Sequence, residues 1–366
     1  MKRLECLDGL RGLLAIYVLL NHLAPFAAVP AWIIRPLLHG QAAVDVFFIL
    51  SGLVIVQSLE SFSWQSRRFL IARVARIFPV YLVMFAIAIA VQALPTNFAL
   101  LPWIGPDDPA RDIWSVGWPR TWAAEIAAHL TMTHGLLPES VLPAVWISFL
   151  GSAWSLSTEW QFYLLALLVG ARAGPRWMVG IFLVLAGAGM LWHMAAPPGW
   201  AFSRAFLPNK AHYFALGIAG SALVRGTPRA AWAYCGTLAT TLLLCWWQGG
   251  ATKLLPPLVW TLCLAAQVHS DVLGLRTMSR ILRLPAMLQL GALSYCIYLV
   301  NEPVQKTLGL VLAGLSGGDG QWFTAFWVPA AIALPLLSAT WMHMRVERPA
   351  LRWGRAYAAR ETPTRP

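Results

Sequence analysis

Charged residues are scarce in this chain of 366 residues: 11% are Asp, Glu, Lys or Arg, while 58% are hydrophobic. Water-soluble domains carry roughly 25% charged residues. The mean hydropathy is +0.63, and no polar block between residues 10 and 344 is long enough for a separate globular unit. The composition argues against a soluble protein and predicts one membrane domain, residues 1–353, followed by a cytoplasmic tail, residues 354–366.

Cysteine pairs and soluble-enzyme motifs are also missing. The five cysteines form no CxxC pair, which predicts no disulfide framework and no metal site, and the last four fall in or beside apolar runs, which predicts buried thiols. There is no Walker motif and no HExxH. The net charge of +12 does not indicate nucleic acid, because the basic residues form short clusters between apolar runs. Such clusters set topology and contact membrane lipids.

Ten apolar runs are candidates for membrane spans, each of which needs about 20 residues. A further run, 123–150, is interrupted by Pro138 and Pro143 and is predicted to be a re-entrant or interfacial helix. With the N-terminus inside, 20 of the 27 Lys and Arg residues fall in cytoplasmic segments. The positive-inside rule therefore predicts ten spans with both termini in the cytoplasm. The predicted spans are 10–28, 43–59, 77–94, 154–171, 177–194, 211–225, 230–248, 254–269, 290–312 and 323–344.

Polar side chains occur inside four of these spans, where an ionisable group costs about 2.5–3.5 kcal/mol on insertion scales. They are His22, Asp45, Glu159 and the adjacent pair Asn301 and Glu302. The orientation of the spans predicts that all of them lie in the outer half of the membrane. They either pair structurally within the bundle or line one reaction or transport site, and we favour the shared site.

Basic residues mark the cytoplasmic edge of the same spans. Arg11 and His22 stand eleven residues apart, so they share nearly one helix face at a separation of about 16 Å. A neutral imidazole there could take a proton from a hydroxyl, whereas Arg11 could simply be a snorkelling topology residue. Arg73 and Arg76, at i and i+3, could bind phosphates or anionic lipid headgroups. We expect the other seven histidines to be mostly interfacial or hydrogen-bonded.

Six blocks, in order, resemble the acyltransferase-3 family of membrane O-acyltransferases, which acylate bacterial cell-surface glycans. The blocks reach from residue 7 to residue 353, and six in order are far more specific than any one alone. They are LDGLRGLLAIYVLLNHL (7–23), GQAAVDVFFILSGLVI (40–55), RRFLIARVARIFPVYL (67–82), AWSLSTEWQFYLLALL (153–168), LSYCIYLVNEPV (293–304) and ERPALRW (347–353).

The resemblance implies ten helices in the bacterial inner membrane and an acyl-CoA donor, with acetyl-CoA the expected one, bound from the cytoplasm. The acyl group would pass to a hydroxyl of a glycan or lipid-linked saccharide at the outer side. Arg11, Arg73 and Arg76 would contact the donor's phosphates, and His22 would act as catalytic base. Glu159 and Asp45 would orient the imidazole or position the acceptor.

One position departs from the family pattern, because many relatives have His where this chain has Asn301. Either His22 acts alone or with Glu302, or position 301 tunes the acceptor pocket, so we assign Asn301 and Glu302 to substrate binding. A proton-coupled secondary transporter using His22, Asp45, Glu159 and Glu302 is the alternative function. A catalytically silent membrane scaffold is a third.

Overall fold

The computed structural model describes residues 4–114 and 117–360, and all regular structure in those two ranges is helical. They contain fifteen α-helices, of which eleven are longer than ten residues, so the all-α prediction is confirmed. In chain order the helices are α1 Glu5–Leu23, α2 Ala31–Ile34, α3 Gly40–Ser61, α4 Ser66–Gln92, α5 Pro109–Trp114, α6 Trp122–Leu130, α7 Trp154–Ala173, α8 Pro175–Ala195, α9 Ala211–Val224, α10 Ala230–Gly249, α11 Leu255–Val268, α12 Leu273–Leu282, α13 Pro285–Ser316, α14 Gly320–Met342 and α15 Arg348–Arg360.

Six helical stretches in the described ranges are long and apolar enough to cross a membrane, and the bent pair α12–α13, which meets at 59°, would make a seventh. The chain is therefore an integral membrane protein. All ten predicted spans coincide with helices, two of them (α10 and α11) within the single stretch Ala230–Val268. Two predicted spans, α7 and α9, are not among these candidate membrane-crossing stretches. Helix α9 has 14 residues, about 21 Å, against a hydrocarbon core of about 30 Å.

Glycines at the crossing of α1 and α13 bring the polar residues of these two helices together. A Cβ on Gly291 would lie 2.1 Å from the carbonyl oxygen of Asp8, and one on Gly12 would lie 2.7 Å from the backbone nitrogen of Gly291. Small residues allow such close backbone approach within membrane bundles. Helix α1 consequently runs along α13, with His22 beside Asn301.

The segment predicted to be re-entrant or interfacial contains the nine-residue helix α6, followed by short 3₁₀ turns. Its two histidines are fully buried and stacked, with the ring centroids of His129 and His134 4.0 Å apart. His129 Nε2 lies 2.9 Å from the carbonyl oxygen of Val145. Burial lowers the pKa of His134 to about 4, so this ring is neutral at physiological pH.

The C-terminal helix crosses the domain boundary that we predicted at residue 353. A π-helical turn, His343–Glu347, follows α14 and leads into α15, which continues to Arg360. Residues 361–366 of the predicted tail lie outside the described residues. Helix α15 packs against the start of α4, where a Cβ on Gly354 would lie 2.5 Å from the Cβ of Ala75.

Candidate active site

A cavity of about 660 Å³ lies between α1, α3, α4, α7, α13 and α15. That volume is in the range of small-molecule sites, about 300–1,000 Å³. Four arginines from three helices line it: Arg11, Arg73, Arg76 and Arg355. Asp8 and Glu159 line it too, so cationic side chains outnumber carboxylates and the cavity suits an anionic molecule.

One N–H donor of the Arg73 guanidinium has no hydrogen-bond partner in the described residues. Its guanidinium lies 5.4 Å from the ring centroid of Phe69 and 5.6 Å from that of Tyr163, and one of its nitrogens donates to the Ser58 hydroxyl. Its buried Nε has no hydrogen-bond partner among the described residues. A buried cationic donor without a partner is costly, and the Arg73 side chain lines the cavity, where a phosphate oxygen would meet its guanidinium. Arg73 therefore fits the predicted donor contact.

Arg76 differs from Arg73, because its charge is already paired. Its guanidinium bonds the carboxylate of Glu347, which is fully buried and is the last residue of the π-helical turn. The second oxygen of that carboxylate is 2.6 Å from His343 Nδ1 and accepts a bond of 3.1 Å from the Cys296 thiol. Arg76 thus helps to attach the C-terminal segment to α4.

Three potential metal ligands meet at this pair, since donor atoms of Cys296, His343 and Glu347 lie within 4.8 Å of one another. The Glu347 carboxylate, however, already bonds the Arg76 guanidinium. A metal cation would have to share that carboxylate with a neighbouring positive charge. The cluster fits an ion-pair network better than a metal centre, and the expected absence of a metal stays a prediction.

His22 is held by Asn301, the residue that departs from the pattern implied by the resemblance. Its Nδ1 lies 2.7 Å from Oδ1 of the buried Asn301, whose Nδ2 donates to the carbonyl oxygens of Ile297 and Tyr298 at 3.1 and 2.9 Å. Those two bonds fix the amide with Oδ1 toward the imidazole. Since a carbonyl oxygen only accepts, Nδ1 of His22 carries a proton, and in the neutral tautomer this leaves the lone pair on Nε2. Nothing else in the described ranges bonds the ring.

Helix α13 contributes residues both to the cavity wall and to the surroundings of His22. Tyr298 lines the cavity, and its backbone carbonyl holds the Asn301 amide one helical turn further along. On α1, Arg11 lines the cavity and His22 lies about 16 Å beyond it. His22 is therefore not part of the cavity lining and lies about 16 Å from Arg11 along the axis of α1.

Glu159 is the one predicted catalytic carboxylate that lines the cavity. It accepts a hydrogen bond of 2.8 Å from the Ser51 hydroxyl and another from the Tyr163 hydroxyl. The Tyr163 ring also lies beneath the Arg73 guanidinium. Glu159 thus supports the arginine side of the cavity, whereas the imidazole of His22 is oriented by Asn301.

Asp45 and Glu302 lie apart from the cavity, so the expectation of one shared site for the polar residues of the four spans is not met. Asp45 is fully buried and pairs with Lys210 Nζ at 2.7 Å, because a buried carboxylate needs a countercharge. Glu302 accepts hydrogen bonds from the backbone N–H groups of Gly151 and Ser152 at 3.1 and 2.8 Å. It thereby holds the segment that leads into α7.

Comparison with known proteins agrees with the resemblance. A family model described as an acyltransferase domain matches residues 4–344, nearly the whole chain. This chain belongs to the acyltransferase-3 family. It is 27% identical to the acyltransferase MdmB of Streptomyces mycarofaciens over 388 residues, which cover 96% of this chain and 92% of that protein. It is also 27% identical to "Protein 2 in picA locus" of Rhizobium radiobacter, over 53% of this chain and 95% of that protein. No solved structure matches.

Several contacts of this acyltransferase-3 site could not be read from the sequence. The hydrogen bond between His22 and Asn301 joins positions 279 residues apart, and no local sequence pattern predicts it. Glu347 falls in the recognised ERPALRW block, but its pairing with Arg76 spans 271 residues. The one local signal was the i, i+4 spacing of His343 and Glu347, which share a hydrogen bond.

Proposed function

We propose that this acyltransferase-3 protein is an acyl-CoA-dependent O-acyltransferase of the bacterial inner membrane, with ten spans and both termini in the cytoplasm. The donor, with acetyl-CoA the expected one, binds from the cytoplasm. The acceptor is a hydroxyl of a glycan or lipid-linked saccharide at the outer side. The observation that carries the proposal is the arginine-lined cavity, which ends one helical turn from the asparagine that orients His22.

The donor would extend from the cavity toward His22, with its phosphates against Arg11 and Arg73 and its thioester nearest the imidazole. Phosphate oxygens and guanidinium groups form charge-assisted hydrogen bonds, which are roughly twice as strong as neutral ones. Arg11 has no hydrogen bond or ion pair within residues 4–114 and 117–360, and Arg73 keeps a free Nε. Both side chains line the cavity and neither is paired with a carboxylate in the described ranges, whereas Arg76 is committed to Glu347.

In the proposed reaction, Nε2 of His22 takes the proton of the acceptor hydroxyl as its oxygen attacks the thioester carbonyl carbon. The new C–O ester bond forms, the C–S bond breaks, and the proton passes from the imidazolium to the departing thiolate of CoA. Asn301 keeps Nδ1 as the protonated nitrogen throughout, so that Nε2 stays available as the base. The other polar residues keep supporting roles, and a contact of Glu302 or Asp45 with the acceptor stays a prediction.

The proposal is tested by incubating the purified protein in lipid vesicles with radiolabelled acetyl-CoA and a surface-glycan extract. We expect label to appear in the glycan as an alkali-labile ester. Proton flux driven by a glycan precursor, without any transfer of label, would instead support the transporter. Asp45 is paired with Lys210 and Glu302 is bonded to backbone N–H groups, so no hydrogen bond in the described part of the chain joins either carboxylate to His22.

Replacing Arg73 by alanine tests the donor contact. Loss of one charge-assisted hydrogen bond, about 1.5–3 kcal/mol, should raise the KM for acetyl-CoA by about 10–100-fold and leave the KM for the glycan unchanged. Initial rates over a range of acetyl-CoA concentrations measure this, with Arg172→Ala as the control, since Arg172 is exposed and does not line the cavity. An unchanged KM for acetyl-CoA in Arg73→Ala would contradict the placement of the donor in this cavity.

A further inference from the structure

Helix α15 lies beyond residue 344, where the match to the acyltransferase family ends. It is nevertheless attached firmly to the start of α4. The Nε of Arg68 donates to the carbonyl oxygen of Ala358 at 2.7 Å, and Arg67 donates to the Tyr357 hydroxyl at 3.3 Å. The close approach of Gly354 to α4 brings the two helix backbones together. The helix is thus a fixed part of the fold.

One face of α15 forms part of the cavity wall. Leu351 and Arg355, at i and i+4, both line the cavity that holds Arg11 and Arg73. The Arg355 side chain is exposed and has no hydrogen bond or ion pair in the described part of the chain. An exposed residue that lines a cavity lies at its opening. Arg355 is therefore a free cation at the cavity mouth.

The position of the mouth relative to His22 decides which part of a donor would reach Arg355. Helix α1 carries His22 about 16 Å beyond Arg11, and Arg11 shares the cavity with Arg355. In acyl-CoA the thioester is at one end and the phosphorylated nucleotide is at the other. A donor whose thioester lies near His22 would have its nucleotide end nearest the mouth.

We propose that Arg355 is a further donor-binding residue that contacts the phosphates at the nucleotide end of acyl-CoA. This inference rests on the proposed function. It assigns part of the donor site to a helix outside the matched acyltransferase domain. It also gives the arginines different roles, since Arg355 and Arg73 contact phosphates and Arg76 holds the C-terminal segment.

The test compares two donors in the full-length protein. Acetyl-CoA carries the nucleotide and its phosphates, whereas acetyl-pantetheine has the same thioester without them. Arg355→Ala should raise the KM for acetyl-CoA about tenfold, with kcat unchanged, and should leave the KM for acetyl-pantetheine at the wild-type value. Arg355→Lys, which keeps the charge, should recover part of the affinity.

Arg352→Ala is the matched control, because Arg352 is exposed on the same helix and does not line the cavity. It should match the wild type with both donors. An Arg355→Ala variant that binds acetyl-CoA normally, or that loses affinity for both donors equally, overturns the inference while the proposed function stands. A wild-type protein that transfers acetyl from neither donor overturns the proposed function and the inference together.

Discussion

Replacing His22 by alanine is expected to lower kcat/KM for acyl transfer by about 10²–10⁴-fold, the usual contribution of a positioned general base. The alanine variant cannot take the proton from the attacking hydroxyl, and its KM for acetyl-CoA should change little because His22 does not line the cavity. Initial rates of label transfer to the glycan over a range of acetyl-CoA concentrations measure the effect. The control is His193→Ala, since His193 is an exposed residue near the end of α8.

The same rate measurement shows whether Asn301 orients the ring. Asn301→Leu keeps a similar volume but removes the acceptor for Nδ1–H, so both imidazole tautomers become accessible. We expect kcat to fall by about 10–100-fold, as for one orienting hydrogen bond, with the donor KM unchanged. Full activity in the His22→Ala variant would rule out His22 as the base. Full activity in Asn301→Leu, with activity lost in His22→Ala, would rule out orientation of the imidazole by the Asn301 amide.

The second large effect is expected on stability. Arg76→Ala removes the countercharge of Glu347, whose side chain is fully buried. Breaking a buried ion pair by removing one partner costs about 3–5 kcal/mol, because the remaining charge stays uncompensated. The thermal midpoint of the detergent-solubilised protein should fall by roughly 5–10 °C.

Arg73→Ala is the matched variant for this experiment, since it removes an arginine from the same cavity wall of α4. Arg73 bonds the Ser58 hydroxyl and stacks on two rings, so its loss leaves no buried charge without a partner. Its midpoint should stay within about 2 °C of the wild type. Equal losses of stability in the two variants would contradict the division between a structural and a donor-binding arginine.

Helix content, the apolar segments and the family were all predictable from the sequence. Apolar runs in a chain with few charges can satisfy their backbone groups in lipid only as helices or closed barrels, and all ten predicted runs are helical. Arg11, Arg73 and Arg76 were predicted at the cytoplasmic edge and Glu159 in the outer half of the membrane, whereas the structure places all four in the lining of one cavity.

The partners of the polar residues were not predictable, because depth along a span does not determine the direction in which a side chain points. His22 and Asp45 were predicted at similar depths, yet one bonds Asn301 and the other bonds Lys210. Rotation about each helix axis is set by contacts between distant segments, such as Gly12 against Gly291. Arg355 was counted only as a topology residue for the same reason.

The most direct test of donor binding from the cytoplasm and of His22 as the base uses sealed membrane vesicles of known orientation. Acetyl-CoA does not cross the bilayer, so it can be supplied to one face alone. We predict transfer of label when acetyl-CoA is on the cytoplasmic face and the glycan acceptor is on the opposite face. This transfer should be lost in His22→Ala, whose sealed vesicles are otherwise intact. Transfer that needs acetyl-CoA on the outer face, or that proceeds unchanged without His22, would contradict this mechanism.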